Sequence, residues 1–169
     1  MTYAQLTLPE FDHEMATTRK LLERLPEHLL DWKANEKSNT IGWNACHIAE
    51  IPGWAENILS ESFFDMNPPG GAPYETPSLR SRSAILDIFD RHVHAGRAAL
   101  ARVSDERLMD SWQLRDHGTV LLEMPRVAAF RTWVISHLIH HRAILSVYYR
   151  LNGVPVPGIY GPSADEQGG

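Results

Sequence analysis

Nine histidines stand in this sequence of 169 residues, and the positions of three of them suggest chemistry rather than packing. His137 and His141 are four residues apart, so on a helix both rings project from one side, one turn apart. Phe130 and Val134 precede them on that side and Tyr148 follows, which makes it the apolar side. An imidazole pointing into a core costs free energy unless something satisfies it. His47 repeats the anomaly on a second stripe, Asn44, His47, Ile51, Trp54 and Ile58. An i, i+4 pair joined by a third nitrogen from a facing helix is a geometry that holds a divalent transition metal and leaves a coordination position open. Nitrogen-only ligation suits zinc, nickel, copper or iron.

The other candidates read differently. A lone histidine on an apolar stripe is usually a core residue bonded to a carbonyl, and His92 is read that way. His140 turns about 100° away from His141 and flanks the pair, whereas His13, His28, His94 and His117 have no partner at ligand spacing and belong on the surface. The run His137-Leu138-Ile139-His140-His141 has leucine where a zincin carries its general-base glutamate. A carboxylate-bridged di-iron site would need Glu-x-x-His twice, and His47-Ile48-Ala49-Glu50 runs in the opposite order. Glu50 could still fix the His47 tautomer, with a solvated glutamate as the commoner alternative. Cys46 points about 100° from His47 and reads as a small buried filler. Trp54 and Tyr148 read as core or pocket wall. Arg142 either orients an anionic substrate or forms a surface salt bridge.

Four helical stripes must position these groups. The first follows a capping-box pattern at Thr7-Leu8-Pro9-Glu10, carries Leu8, Phe11, Met15, Thr18, Leu22 and Leu25, and stops at Pro26. The second follows the capping cluster Lys37-Ser38-Asn39-Thr40 and contains Pro52 and Gly53, which predict a kink. The stretch 67–73 is a loop by composition. The third stripe runs from about Ser81 to Val103, with a turn at 104–107. The fourth follows Pro125 with Val127, Phe130, Val134, His137, His141, Ile144 and Tyr148, and ends at Asn152-Gly153. No segment of length alternates as a half-buried strand does, although Gln113-Leu114 and Val120-Leu121-Leu122 around Asp116-His117-Gly118 permit a small hairpin. Four such helices bury their stripes against each other as an all-α four-helix bundle with long crossover connections. Residues 1–160 form its single domain and 161–169 a polar, partly mobile tail.

Composition limits the partners. Sixteen Lys and Arg against 21 Asp and Glu give a net charge of −5, without the basic footprint that nucleic acid or an anionic membrane requires. One cysteine excludes an intramolecular disulfide framework. The start Met1-Thr2-Tyr3-Ala4 carries no leader pattern and no run of 18 apolar residues occurs, so a cytoplasmic, soluble protein is expected.

The segments Thr40-Ile41-Gly42-Trp43-Asn44-Ala45-Cys46-His47-Ile48-Ala49 and His137-Leu138-Ile139-His140-His141-Arg142, the latter continuing through Tyr148 to Pro155, resemble the second- and fourth-helix signatures of the DinB/YfiT-like superfamily. The ending from Pro157 to Glu166 is similar to the tail of many members. The resemblance implies a four-helix bundle in up-down-down-up order, with His47, His137 and His141 as ligands of one divalent metal, zinc or nickel. It also implies thiol S-transferases, thiol-dependent isomerases and metal-dependent hydrolases as relatives, a low-molecular-weight thiol as a second cofactor in the first two, a small-molecule substrate and a homodimer. Ile139, Ile144 and Tyr149 are expected at that dimer contact.

Two readings stay open at this stage. In one, the metal activates a thiol or water nucleophile in a transferase or hydrolase, with thiol transfer ranked ahead because no carboxylate at ligand spacing serves as a general base. In the other, the metal is structural and the domain is a non-catalytic small-ligand-binding or dimeric interaction module. No residue is assigned a catalytic role.

Overall fold

The computed structural model describes residues 1–166. Its first helix, α1 (Tyr3–Leu22), begins earlier than the Thr7 pattern implies. Thr2 is the cap: its side chain accepts from the Gln5 amide, and the Gln5 side chain returns to the Thr2 amide. Thr7 is buried and Pro9 lies inside the helix on an exposed face. Helix α2 (Ile41–Glu50) is capped by Thr40, which accepts from the Trp43 amide. The expected kink is a 3-10 turn, Ile51–Gly53, after which α3 (Trp54–Ser60) continues. Helix α4 (Arg82–Arg102) is capped by Ser81. Its Gly96 is obligatory for packing, because a Cβ there would lie 2.3 Å from the Pro52 carbonyl oxygen of that turn. The short α5 (Asp105–Leu108) follows.

The all-α expectation is overturned at this point of the chain. The fold is mixed, with a three-stranded sheet in the order β1-β2-β3. Strand β1 (Phe63–Asp65) lies in the connection between α3 and α4 and runs parallel to β2 (Ser111–Asp116), which pairs antiparallel with β3 (Thr119–Pro125). The loop between β2 and β3 places both His117 (φ 50°) and Gly118 (φ 78°) in the left-handed region, as a type I′ hairpin turn requires. The hairpin permitted by the sequence is therefore present, extended to most of two strands, and the third strand is an addition. Two physical features hid the sheet. A register shift at Leu114/Arg115 leaves Leu121 as an extra residue opposite them, so Val120-Leu121-Leu122 reads as a run rather than an alternation. Strand β1 has only three residues, too few to show any period.

The last helical stretch is not uniform. Helix α6 (Arg126–Phe130) passes through a π-helical turn, Arg131–Ser136, into α7 (His137–Leu151). The wider turn shifts the buried line, which beyond it runs through Leu138, Arg142, Leu145 and Tyr149. Val127 and Ile144, expected on the buried stripe, are only half-buried. Helix α1 packs on α4 and α7, and α2 packs on the same two helices. Phe11, Leu22, Ile48, Phe89, Phe130 and Tyr149 are among the fully buried residues between them.

Two expectations for α7 need correcting. Arg142 neither faces a substrate nor sits in a surface pair: it is 2% exposed, 2.7 Å from Glu14 Oε2 on α1, and it donates to the Tyr160 hydroxyl at 2.7 Å. Tyr149, assigned to a dimer contact, is fully buried within the chain. Of the tail expected at 161–169, Ser163 is buried, and Asp165 accepts from the Val156 amide and pairs with Arg150 at 3.0 Å. Residues 167–169 lie outside the described residues. Among those described, no helix is long and apolar enough to cross a membrane.

Candidate metal centre

Helix α2 brings His47 to face α7, and the first two turns of α7 present His137 and His141 to it. The three histidines each offer a ring nitrogen, all within 4.8 Å of one another. Nε2 of His137 is 3.1 Å from Nε2 of His47 and 2.9 Å from Nε2 of His141. Three nitrogens at 2.0–2.1 Å from one tetrahedral ion would stand about 3.3 Å apart, close to the two separations that involve His137.

The outer hydrogen bonds say which nitrogens are bare. Nδ1 of His47 donates to Glu50 Oε1 at 2.7 Å, and Nδ1 of His141 donates to Asn44 Oδ1 at 3.0 Å. The Asn44 amide is itself oriented, because its Nδ2 donates to the Thr40 carbonyl at 2.8 Å. With both Nδ1 atoms protonated, the neutral rings turn two Nε2 lone pairs toward Nε2 of His137. A single proton on that nitrogen can satisfy one of them and leaves the other without a donor. A cation among the three satisfies all, so the residues present fit a metal.

The surroundings favour neutral, metal-ready rings. Burial, followed by the charge of His47, holds His137 down to about 4 and His141 down to about 3. Trp43 stacks on His47 with ring centres 4.5 Å apart, and the Trp54 ring meets His47 and His137 edge-on at 5.3 and 5.4 Å. Glu50 is 6% exposed. Its Oε1 accepts a second hydrogen bond, from the Tyr74 hydroxyl at 2.6 Å. Burial and that bond raise the Tyr74 pKa, keeping the phenol a donor.

Beside the cluster lies a cavity of about 300 Å³. His47 and His137 form part of one wall with Trp54 and Trp133, and the opposite side is built by Phe64 of β1, Met66, Tyr74 and, from β2, Trp112 and Leu114. Asn57 of α3 ties that side down, accepting from Trp112 Nε1 at 3.1 Å and donating to the Phe63 carbonyl at 3.3 Å. Arg126 adds a buried clamp, donating to the carbonyls of Ile58 and Glu61 at the end of α3.

The residues singled out from sequence separate accordingly. His47, His137 and His141 meet. His92 Nδ1 donates to the Ala49 carbonyl oxygen at 2.9 Å, the carbonyl-bonded role expected of it. His140 is exposed beside His141, and His13, His28, His94 and His117 are exposed. Cys46 is a buried free thiol whose pKa burial raises. Asn44, Tyr74, Trp112 and Trp133 were not assigned to the site from sequence. For Asn44 the signal was present, a polar amide on an apolar stripe one turn before His47; the others sit on segments without periodicity or at the π turn.

A helical frame that gathers three histidines, two of them lining a part-open cavity, defines a class of possible metal-site folds, and the comparisons name the family. The chain matches the DinB superfamily over residues 10–145, and it belongs to that superfamily. It is 27% identical over 165 residues to the uncharacterized protein YrdA of Bacillus subtilis, covering 94% of this chain and 89% of that protein. The crystal structure of a DinB-like protein from Bacillus cereus is similar with a TM-score of 0.68 and 26% identity, over 90% of this chain and 95% of that one. The DinB-like protein YjoA of Bacillus subtilis shares the fold, with a TM-score of 0.68 at 19% identity over 91% and 97%.

Proposed function

We propose that this protein is a metal-dependent enzyme in which His47, His137 and His141 hold one divalent transition metal, zinc or nickel, and the adjoining cavity holds a small-molecule substrate. The observation that carries the reading is the convergence of three Nε2 atoms, two of them bared by outer hydrogen bonds to Glu50 and Asn44. A bound divalent cation with an open position supplies Lewis acidity, lowering the pKa of a thiol or a water toward neutrality. Glu50 holds the proton on His47 Nδ1 and Asn44 that on His141 Nδ1, so both rings keep Nε2 free. Trp54, Trp112 and Trp133 give the cavity beside the reacting end an apolar lining.

Thiol transfer ranks ahead of hydrolysis. Among the described residues no carboxylate lines the cavity, and Glu50 is engaged on the far, Nδ1 side of His47, so these residues offer no carboxylate general base to a water attacking in the cavity. A thiol needs less help, since its proton leaves at a lower pKa. Its sulfur then bonds to an electrophilic carbon as the leaving group departs with the electron pair. A low-molecular-weight thiol is the corresponding cosubstrate.

The test begins with elemental analysis of protein purified without a nickel column, which is expected to find about one zinc or nickel per chain. Metal-loaded protein is then assayed with thiols plus a reactive electrophile, and separately with activated esters and amides, against His137→Ala. Thiol-dependent turnover lost in the variant supports the reading; thiol-independent ester or amide turnover reverses the ranking. Metal-containing protein inactive in every assay, with the fourth position closed, overturns the enzyme reading in favour of a binding module. A homodimer through the helices belongs to the same proposal, with Val147 and Leu151 of α7, 54% and 63% exposed, as its support in place of Tyr149. Light scattering at high concentration decides it.

A further inference from the structure

Several polar groups around the cavity already have partners, whereas the buried Trp133 Nε1 has none. Trp112 Nε1 donates to Asn57, Asn57 Nδ2 donates to the Phe63 carbonyl, and the Tyr74 hydroxyl donates to Glu50. Among the described residues no lysine, arginine, aspartate or glutamate lines the space. What remains is a shell of Trp54, Phe64, Met66, Trp112, Leu114 and Trp133, with the imidazoles of His47 and His137 at one end. A carboxylate or ammonium group entering it away from the histidine end would give up hydration and meet no counter-charge, which costs several kcal/mol. An apolar ring meets aromatic edges and faces instead. The volume, about 300 Å³, is about twice that of an engineered apolar cavity that takes benzene.

We infer that the cavity selects an uncharged, ring-bearing small molecule with a single donor atom directed at the histidine end, and rejects zwitterionic or anionic molecules carrying the same donor. The inference deepens the proposed function and rests on it in taking the histidine cluster as the reacting end. It also constrains that function: a thiol bearing carboxylates or an ammonium group does not fit inside with its charges, so the molecule enclosed is an apolar thiol or the apolar electrophile.

The rim offers a way to rewrite the selection. Met66 is half-buried in the connection after β1, its amide bonded to the Arg115 carbonyl and its own carbonyl to the Tyr74 amide. A lysine there matches its length and brings a cation to the wall with the backbone undisturbed.

The experiment measures dissociation constants by calorimetry and tryptophan quenching on the zinc-loaded chain. The probes are benzyl mercaptan, cysteine and mercaptosuccinate, which share the thiol and differ in charge. Benzyl mercaptan is expected to bind at least tenfold more tightly than either charged thiol, and Met66→Lys to shrink that ratio by weakening benzyl mercaptan and strengthening mercaptosuccinate. Leu114→Lys repeats the test from β2, and circular dichroism establishes that each variant is folded. Equal or tighter binding of the charged thiols to the wild type overturns the inference, as does a ratio unmoved in both folded variants. Benzyl alcohol against mandelate on chelator-treated protein separates this result from the metal reading. A preference for the uncharged ring there supports cavity selection even if zinc never binds, whereas zinc uptake without any preference removes the inference and leaves the metal reading standing.

Discussion

The two sides of the cavity are built from different material. The histidine side stands on α2 and α7, where helix periodicity sets every ring direction, and outer bonds from Glu50 and Asn44 fix the tautomers. The opposite side stands on a three-residue strand, a bulged hairpin and the connection carrying Met66 and Tyr74, held to α3 through Asn57. Such a division lets one side fix the reacting centre while the other is free to set which molecule reaches it. Two links cross the gap: Tyr74 donates to Glu50, and Thr76 lies 3.3 Å from His47 Nδ1. The sheet side is therefore coupled to the histidine side through the carboxylate that orients His47.

Substitutions should respect the division. The largest effect is expected from His47→Ala, His137→Ala or His141→Ala, each lowering zinc affinity well over 100-fold, beyond the 10–100-fold usual for outer-shell changes. A competition titration with a chromophoric chelator reads it. Next comes Glu50→Gln, which keeps the shape but weakens the hold on His47 Nδ1 and is expected to cost about 10–100-fold in zinc affinity while leaving urea stability of the metal-free protein nearly unchanged. Asn57→Ala should do the reverse. It removes the ties to Trp112 and Phe63 and is expected to cost about 1 kcal/mol of stability with zinc affinity intact; loss of zinc from this variant would erase the division.

The last expected effect is the pH response of metal-free protein. His137 and His141 titrate near 4 and 3 in the fold, whereas unfolded histidine titrates near 6.5. Between these values the unfolded chain binds more protons, so stability falls as pH drops from about 6.5 toward 3 and is level above that window. Urea midpoints across this range with chelator present should decline on the acid side, and His137→Ala together with His141→Ala should flatten that part of the decline.

The same contrast explains what the sequence made legible. His47, His137 and His141 could be found because each breaks an apolar helical stripe, and a helix converts spacing into direction. The sheet side offered no such rule: β1 is too short for a period, Leu121 spoils the alternation of β3, and the cavity depends on where Trp112 and Leu114 land in three dimensions. Glu14 and Arg142 were legible in principle. Glu14 lies on the stripe of Phe11, Met15 and Thr18, and Arg142 between Leu138 and Leu145, so two opposite charges on buried faces announce the pair that forms. The shift of the buried line at Arg131–Ser136 was not, because a π turn leaves no mark in a pattern read at a constant 3.6 residues per turn.

The central claim concerns ligation by three imidazoles. X-ray absorption at the zinc edge of the zinc-loaded protein tests it most directly. Three histidine nitrogens at about 2.0–2.1 Å and one further light atom are predicted. A sulfur shell at about 2.3 Å, which would bring in Cys46, or a fit requiring no more than one imidazole, would contradict it.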